Sequence, residues 1–289
     1  MKLATFSHAG STRLGVALGD EIADLAASGL PTDMISLLSG GDDALARAET
    51  AAKTAPRLPL ADVVLEAPIA RPPKILAVGL NYADHVAEAG MQTPANPMIF
   101  NKQSLSSHGP FAAFHAPSYS KALDYEGELA FVIGKACRHV PRDRAREVIA
   151  GYTVCNDVSV RDWQLRVPTF TMGKSNDTHC PTGPWIVTGD ELADPHACEL
   201  KTWVNGELRQ STNTKNLIFD CFTLVEHLTT AFTLEVGDLI LTGTSGGVGV
   251  AMKPPKFLVP GDVVKIAIEG IGEIENAVIA EPAETAHIG

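Results

Sequence analysis

The sequence lacks the features that mark several large classes of protein. No apolar run approaches the roughly 18 residues that a membrane-spanning helix requires, so no membrane partner is expected. The N-terminal segment, MKLATFSHAG, contains neither the apolar core nor the cleavage pattern of a signal peptide. Basic residues are outnumbered, with 23 Lys and Arg against 34 Asp and Glu, a net charge of -11 and no basic stripe. We therefore expect a cytoplasmic protein that binds no nucleic acid.

Cysteine is also scarce, and the motif for nucleotide binding is missing. The five cysteines are scattered without CxxC spacing, which argues against a zinc site and favours free thiols in a reducing compartment. The glycine-rich segment 241–250 lacks the GxxxxGK[ST] pattern of a phosphate-binding loop. Pro254 and Pro255 follow it, where such a loop would begin a helix. Nucleotide binding is therefore not expected.

Residues 1–66 differ in pattern from the rest of the chain. Short strand-like segments separated by Gly and Ser turns precede two predicted helices, and no residue there suggests chemistry. Prolines between residues 56 and 73 predict an extended linker. From Lys74 onward, strand-like segments predominate without regular alternation with helices. The pattern predicts an α+β, mostly β fold, with a small N-terminal α/β module at 1–66 and a main domain at 67–289.

Two acidic residues, Glu126 and Glu128, lie two positions apart in a segment that reads as a β-strand. Side chains alternate between the faces of a strand, so both carboxylates leave from the same face. A second apolar segment, GYTVC, ends shortly before Asp157. Neighbouring carboxylates repel each other unless a cation neutralises them, and a hard divalent cation suits three such oxygens, with positions left for water and substrate. The alternative is the polar face of an edge strand.

Another polar pair lies earlier, in the segment NYADHVAEAG, which predicts a short helix. His85 and Glu88 are three positions apart and are therefore neighbours on one helix face. A carboxylate beside an imidazole orients the ring, which is the arrangement that a base needs to take a proton from water. The alternative is a solvent-exposed pair. The following segment 90–97 contains one glycine and two prolines, so we expect a mobile loop that acts as a lid.

Several polar residues follow the carboxylates along the chain. Lys174 either points a cation towards a substrate carboxylate or enolate, or is an ordinary surface lysine. The amide of Gln164 is able to donate to an oxyanion and to accept from a hydroxyl. Arg166 either pairs with a distal carboxylate of a diacid substrate or lies on the surface. The adjacent Arg161 and Asp162 are expected to form a structural ion pair.

The glycine-rich segment 241–250 is better explained as an anion-binding loop than as a nucleotide site. Its backbone N–H groups, such as that of Gly243, and the hydroxyl of Thr244 suit a small carboxylate. We therefore predict that this loop binds substrate.

Together these segments resemble the fumarylacetoacetate hydrolase family, in its shorter bacterial branch that is similar to acylpyruvases. The matching motifs occur in the family's order from Lys74 to Val278. They are NYADH, DYEGELA, AGYTVCNDVSVRDWQ, GKSNDT, PTGPW, VNGELRQ, TGT and the closing GD…IEGIG. The sequence departs from the family in two places. It has no equivalent of a fourth carboxylate ligand, and Ser245 follows TGT where many relatives have proline.

The resemblance implies a mixed β-sandwich roll that is usually dimeric, so a homodimer is expected. It also implies Mg²⁺ or Mn²⁺ as cofactor, held by Glu126, Glu128 and Asp157. The expected substrate is a small 2-oxo acid whose oxo and carboxylate (or 1,3-diketo) oxygens chelate the metal.

For catalysis, the resemblance implies that His85, oriented by Glu88, activates a water that attacks the distal carbonyl of the substrate. Lys174 and Gln164 would stabilise the developing oxyanion, and Thr244 would help to hold the substrate carboxylate. The expected reaction is hydrolysis of a C–C bond in an acylpyruvate such as maleylpyruvate or fumarylpyruvate. Its products are pyruvate and a carboxylic acid, in the catabolism of aromatic or related compounds.

Other reactions stay open, because the same site forms an enolate without water attack. The family contains oxaloacetate decarboxylases, 2-hydroxyhepta-2,4-diene-1,7-dioate isomerases and hydrolases of diketo sugar acids. A non-catalytic binding protein is a further alternative, against which the complete set of candidate residues argues.

Overall fold

The computed structural model describes residues 1–88 and 90–285 and shows a fold built mainly from β-strands. Its strands are β1 (Lys2–His8), β2 (Ser11–Leu18), β3 (Glu21–Asp24), β4 (Arg57–Pro59), β5 (Val64–Leu65), β6 (Ile75–Gly79), β7 (Met98–Lys102), β8 (Ser107–His108), β9 (Phe114–Ala116), β10 (Leu123–Asp124), β11 (Gly127–Ile133), β12 (Ile149–Asn156), β13 (Ser159–Val160), β14 (Cys180–Thr188), β15 (Glu199–Val204), β16 (Glu207–Asn213), β17 (Leu239–Thr244), β18 (Val263–Ile268) and β19 (Gly272–Ala280). Its α-helices are α1 (Met34–Ser39), α2 (Gly41–Ala52), α3 (Ala83–Glu88), α4 (Arg161–Gln164), α5 (Thr171–Lys174) and α6 (Cys221–Ala231).

Most strands join one mixed sheet, in the order β4-β3-β2-β1-β14-β12-β11-β17-β6-β7, with β5 beside β1 and β8 beside β14. Every residue of β11 is buried, because both faces of the sheet are covered. Leu129 and Phe131 face one core, while Ala130 and Val132 face the other. Strands β12 and β17 run antiparallel to β11, so their C-terminal ends lie beside its N-terminal end. The three carboxylates that the sequence predicts as metal ligands lie at this end of β11.

The N-terminal strands extend the same sheet. Strand β1 pairs with β14, and β2, β3 and β4 continue outward from it. Asp33 caps α1 by accepting the N–H of Ser36 at 2.9 Å, as an N-cap residue should. Leu37 on α1 shares a core with Ile75 on β6. The sheet and this core thus run across the predicted division at residue 66, and the domain boundary itself stays a prediction.

A second sheet, in the order β16-β15-β18-β19-β9, packs on the face of β11 that carries Leu129 and Phe131. Strand β18 shows the alternation of a half-buried strand, with Val264, Ile266 and Ile268 turned into the shared core. The two mixed sheets share the core on the Leu129 face of β11, and they confirm the prediction of a mostly β fold. Among the described residues, none of the helices has the length and apolar character that crossing a membrane requires.

Candidate metal centre and active site

Three carboxylates meet where β11, β12 and β17 lie side by side. Glu126 immediately precedes β11, Glu128 is the second residue of that strand, and Asp157 follows the last residue of β12. One carboxylate oxygen of each lies within 4.8 Å of the other two. Glu126, the most accessible of the three, is only 5% exposed. The alternative of a polar edge strand is therefore excluded, because β11 is an interior strand and the carboxylates are buried.

Two buried lysines compensate part of this negative charge. Lys174 Nζ lies 2.7 Å from Glu126 Oε2 and 2.7 Å from Asp157 Oδ2. Lys102, at the end of β7, donates to Asp157 Oδ1 at 2.6 Å and to the carbonyl oxygen of Lys174. Lys102 and Lys174 are 3% and 1% exposed. Removing either lysine would take away one of the two ammonium groups that contact Asp157, which is destabilising at a buried site.

An arginine and a fourth carboxylate extend the network. Arg161 Nε donates to Asp124 Oδ2 at 2.8 Å, while Nη1 donates to Glu126 Oε1 at 2.6 Å and to Gln164 Oε1 at 3.0 Å. The second terminal nitrogen of Arg161, Nη2, is buried and has no hydrogen-bond partner within the described part of the chain. A guanidinium nitrogen with a free donor suits an anionic oxygen of a substrate.

The two glutamates are shifted in opposite directions. Burial raises the pKa of Glu128 well above its ordinary value, and the carboxylates of Asp157 and Glu126 raise this pKa further. Burial acts on Glu126 as well, but Lys174 and Arg161 outweigh it and bring the pKa of Glu126 down to about 2. Glu128 is thus the carboxyl group whose charge is least compensated.

A divalent cation fits this set of donors. The three carboxylates offer only oxygen ligands, which hard cations such as Mg²⁺ and Mn²⁺ prefer. Burial and the neighbouring carboxylates raise the pKa of Glu128, and a cation held by Glu126, Glu128 and Asp157 would offset both effects.

His85 and Glu88 lie on α3, one turn apart. His85 Nδ1 is 3.6 Å from Glu88 Oε2, and their side chains are 15% and 29% exposed. This distance is longer than a hydrogen bond and allows closure to one by a small shift. Both carboxylate oxygens of Glu88 accept the backbone N–H of Gly247 at 3.1 Å. The glycine-rich loop thus fixes Glu88, so the pair is not a free surface pair.

Gly243 and Thr244 end β17 beside the carboxylates. The N–H of Gly243 donates to Glu128 Oε2 at 2.7 Å. Its φ is +100°, and a Cβ there would lie 2.9 Å from a backbone carbonyl oxygen, so glycine is required. The Thr244 hydroxyl donates to the carbonyl of Gly127 at 3.0 Å and accepts from Gln210 at 2.7 Å. Both residues therefore support β11 and Glu128, and their contact with substrate stays a prediction.

The carboxylate cluster opens, at Glu126, into a cleft of about 150 Å³. Its polar and charged lining consists of His85, Glu126, Gln164, Arg161, Lys174 and Thr244. Its apolar lining consists of Val78, Leu80, Met91, Met98, Phe100, Leu165 and Phe170. His85 therefore shares one cleft with Glu126, one of the three candidate metal ligands, and Met91 brings the predicted lid segment 90–97 to the cleft wall.

Residues 74–279 match the family model described as fumarylacetoacetate (FAA) hydrolase C-terminal. This chain belongs to the fumarylacetoacetate hydrolase family. The mitochondrial oxaloacetate tautomerase of Rattus norvegicus is 44% identical over 252 residues, which are 86% of this chain and 80% of the relative. The structure of a fumarylacetoacetate hydrolase from Exiguobacterium antarcticum has 38% identity and a TM-score of 0.87, covering 97% of this chain and 100% of that chain. Maleylpyruvate hydrolase from Sphingobium sp. SYK-6, solved with manganese(II) and pyruvate, has 36% identity and a TM-score of 0.83, covering 98% and 100%.

Membership of the fumarylacetoacetate hydrolase family confirms the resemblance drawn from the motifs, and the solved relatives confirm the fold class. The similar proteins include hydrolases and a tautomerase. The chain is therefore a fumarylacetoacetate-hydrolase-family enzyme of the hydrolase or isomerase type.

Near α4 the structure contradicts one sequence-based interpretation, the Arg161–Asp162 pair, and has Arg166 on the surface, which was one of its two alternatives. The expected pair of Arg161 and Asp162 is wrong, because Arg161 turns inward to the cluster while Asp162 accepts from the hydroxyl of Ser120 at 2.6 Å. Consecutive helical residues point in different directions, so sequence neighbours do not pair. Arg166 is exposed, with its guanidinium 4.1 Å from the ring centroid of Trp163, and it lies outside the cleft lining.

Sequence reasoning missed three charged residues of the network. Arg161 had a signal in the sequence, because it lies four residues after Asp157 in the same motif, AGYTVCNDVSVRDWQ. Lys102 and Asp124 had none that separates them from surface residues. Their roles follow only from the pairing of β7, β10 and β11 with distant segments.

Proposed function

We propose that this protein hydrolyses a C–C bond of an acylpyruvate, such as maleylpyruvate or fumarylpyruvate, to pyruvate and a carboxylic acid. The observation that carries the proposal is that His85, backed by Glu88, lines the same cleft as Glu126, which belongs to the buried carboxylate cluster. The pair suits water activation, and the carboxylates suit a Lewis acid. The manganese and pyruvate in the related maleylpyruvate hydrolase support this cofactor and product.

Glu126, Glu128 and Asp157 are the residues that would hold Mg²⁺ or Mn²⁺. The bound cation would polarise the 2-oxo acid and stabilise negative charge on its enolate. Arg161 Nη2 has a free donor for the substrate carboxylate or oxo group at the same end of the cleft. In this proposal the 2-oxo-acid end of the substrate lies at the carboxylate cluster.

Proton transfer then falls to α3. His85 takes a proton from a water, with Glu88 holding the ring through Nδ1, and the resulting hydroxide attacks the distal carbonyl carbon. The bond from that carbon to C3 of the pyruvate unit breaks, and its electron pair forms the enolate of pyruvate. The proton on His85 returns to C3, which releases pyruvate and the carboxylic acid. Lys174 and Gln164 stabilise the negative oxygen while it exists.

Oxaloacetate tautomerisation is a second candidate, favoured by the relative that is 44% identical and carries that activity in its name. In this reaction no water is consumed. His85 would move a proton between C3 and the enol oxygen of the same bound 2-oxo acid.

A substrate panel tests both candidates. The purified chain, with Mg²⁺ or Mn²⁺, is given maleylpyruvate, fumarylpyruvate and acetylpyruvate, and pyruvate is followed with lactate dehydrogenase. Enol-oxaloacetate is followed by its ultraviolet absorbance. Pyruvate release that stops with EDTA supports the hydrolase, whereas accelerated loss of the enol without any pyruvate release would replace it with the tautomerase. Activity that survives EDTA would overturn the metal requirement.

The proposal also includes a cytoplasmic homodimer. Light scattering on the eluting protein should give twice the chain mass of 30.6 kDa. A mass of one chain would contradict it.

A further inference from the structure

Asp124, the last residue of β10, is fully buried and does not line the cleft. Its Oδ1 accepts the N–H groups of Gly249 at 2.8 Å and Tyr125 at 3.0 Å. Its Oδ2 accepts the N–H of Val250 at 2.9 Å and Arg161 Nε at 2.8 Å. Four donors on one buried carboxylate fix its position closely.

On one side, Asp124 reaches the proposed metal ligands. The same guanidinium that donates to Asp124 donates to Glu126 Oε1 at 2.6 Å. Arg161 is only 6% exposed, so its direction is set by these two anions rather than by water. Asp124 thereby holds the guanidinium against Glu126.

On the other side, Asp124 reaches the proposed base through the segment 247–250. The N–H of Gly247 donates to both oxygens of Glu88 at 3.1 Å, while Gly249 and the residue after it donate to Asp124. The hydroxyl of Tyr125 also holds the carbonyl of Gly247, at 2.8 Å. A Cβ on Gly249 would lie 2.6 Å from Asp124 Oδ1, so this close approach depends on glycine. One short segment is thus held by Glu88 at one end and by Asp124 at the other.

We propose that Asp124 is a positioning residue that couples the two halves of the active site. It sets Arg161 against Glu126 and, through segment 247–250, sets Glu88 against His85. The inference rests on the proposed function in taking His85 and Glu88 as the proton-transferring pair. Because Asp124 does not contact the cleft, its loss acts only through the groups that it positions. It should slow the chemical step through Glu88 and weaken substrate binding through Arg161.

Asp124→Asn keeps the side-chain shape and removes the charge, and Asp238→Asn is its matched control. Asp238 is also fully buried, accepts a backbone N–H from Glu235 at 2.7 Å and pairs with Lys74 at 2.9 Å, but it precedes β17 at the end away from the site. We expect kcat to fall at least about tenfold in Asp124→Asn and to stay within about threefold in Asp238→Asn. Equal kcat losses in the two variants would overturn the proposal.

A double-mutant cycle separates coupling from general damage. If segment 247–250 carries the effect, Asp124→Asn combined with Glu88→Gln should lower kcat by clearly less than the product of the two single effects. Independent effects that multiply would overturn the coupling.

Amide hydrogen exchange tests the coupling without any activity. In Asp124→Asn, exchange at the Gly247 amide should speed up about tenfold, as at Gly249, and should not change in Asp238→Asn. Faster exchange at Gly249 alone would overturn the inference. If Asp124→Asn does not fold, Glu88→Gln tests the coupling from the other end of segment 247–250. Faster exchange is then expected at the Val250 amide. If no substrate in the panel is turned over, the proposed function fails, while these exchange rates still decide the coupling.

Discussion

Lys174 Nζ lies 2.7 Å from Glu126 Oε2, inside the cluster that we propose to hold the metal. This ammonium also contacts Asp157 at 2.7 Å and is almost fully buried. It therefore stabilises the unloaded cluster in addition to any contact with substrate. We expect Lys174→Met to lower the free energy of unfolding of the metal-free protein by about 3–5 kcal/mol, since it leaves three buried carboxylates with only Lys102 and Arg161 to compensate them. Urea denaturation measures this change.

Lys135→Met is the matched control for that substitution. Lys135 is half-exposed and pairs with Asp42 at 3.3 Å, so its loss should change stability by less than about 1 kcal/mol. If the free energy of unfolding falls equally little in both lysine variants, the buried contacts of Lys174 stabilise the protein no more than a surface ion pair does. Added Mn²⁺ should restore part of the loss in Lys174→Met, because a divalent cation replaces the missing charge.

The raised pKa of Glu128 predicts how stability depends on pH. Burial and two neighbouring carboxylates make the folded chain bind this proton more tightly than the unfolded chain does, whose pKa is near 4.5. The stabilisation of the folded chain by this proton is fully present below pH 4.5, and it is lost as the pH rises through the pKa of Glu128 in the folded chain. Glu128→Gln should therefore show a smaller fall in melting temperature between mildly acidic and alkaline pH in EDTA. Calorimetry at a series of pH values measures it.

Metal binding should stabilise the wild type more than it stabilises Glu128→Gln. The melting temperature of the wild type should rise with Mn²⁺, because the cation binds only the folded chain. At a free Mn²⁺ concentration a hundredfold above Kd, the gain in free energy of unfolding is about 2.7 kcal/mol. Glu128→Gln should gain much less, because one oxygen ligand has lost its charge. Equal gains would mean that Glu128 is not a ligand.

The role of His85 is tested by His85→Asn. We expect kcat to fall by about 10² to 10⁴, the usual contribution of a general base, while the Mn²⁺ affinity from titration calorimetry stays unchanged. His227→Asn, an exposed position on α6, is the control. Near-normal turnover in His85→Asn would remove this residue from the proton-transfer step.

Arg166→Ala decides between the two sequence-based interpretations of that residue. The guanidinium stacks on Trp163 outside the cleft, so we expect kcat/KM to change by less than about threefold for maleylpyruvate and for acetylpyruvate. A tenfold loss confined to maleylpyruvate would show that Arg166 swings in to bind the distal carboxylate.

Much of the fold was predictable because strands and short helices have local patterns. The segment that carries Glu126 and Glu128 predicted a β-strand, and the structure has β11 there. The predicted loop 241–250 is instead the end of β17 as far as Thr244. The spacing of Glu126 and Glu128 predicted one shared face, and the structure brings both carboxylates together with Asp157. The extension of the large sheet by the first four strands was not predictable, because no local sequence pattern indicates that β1 pairs with β14.

By itself, the sequence determined the residue types of the site and the local spacing of its two groups, the carboxylates on a strand and the pair on a helix. Only the tertiary structure decided their partners. Lys102 meets Asp157 across 55 residues, and Asp124 meets Gly249 across 125. Such contacts depend on the order and register of strands, which packing on both faces of the sheet selects. Short-range patterns do not encode that choice, so the charges that compensate the cluster became visible only in the folded chain.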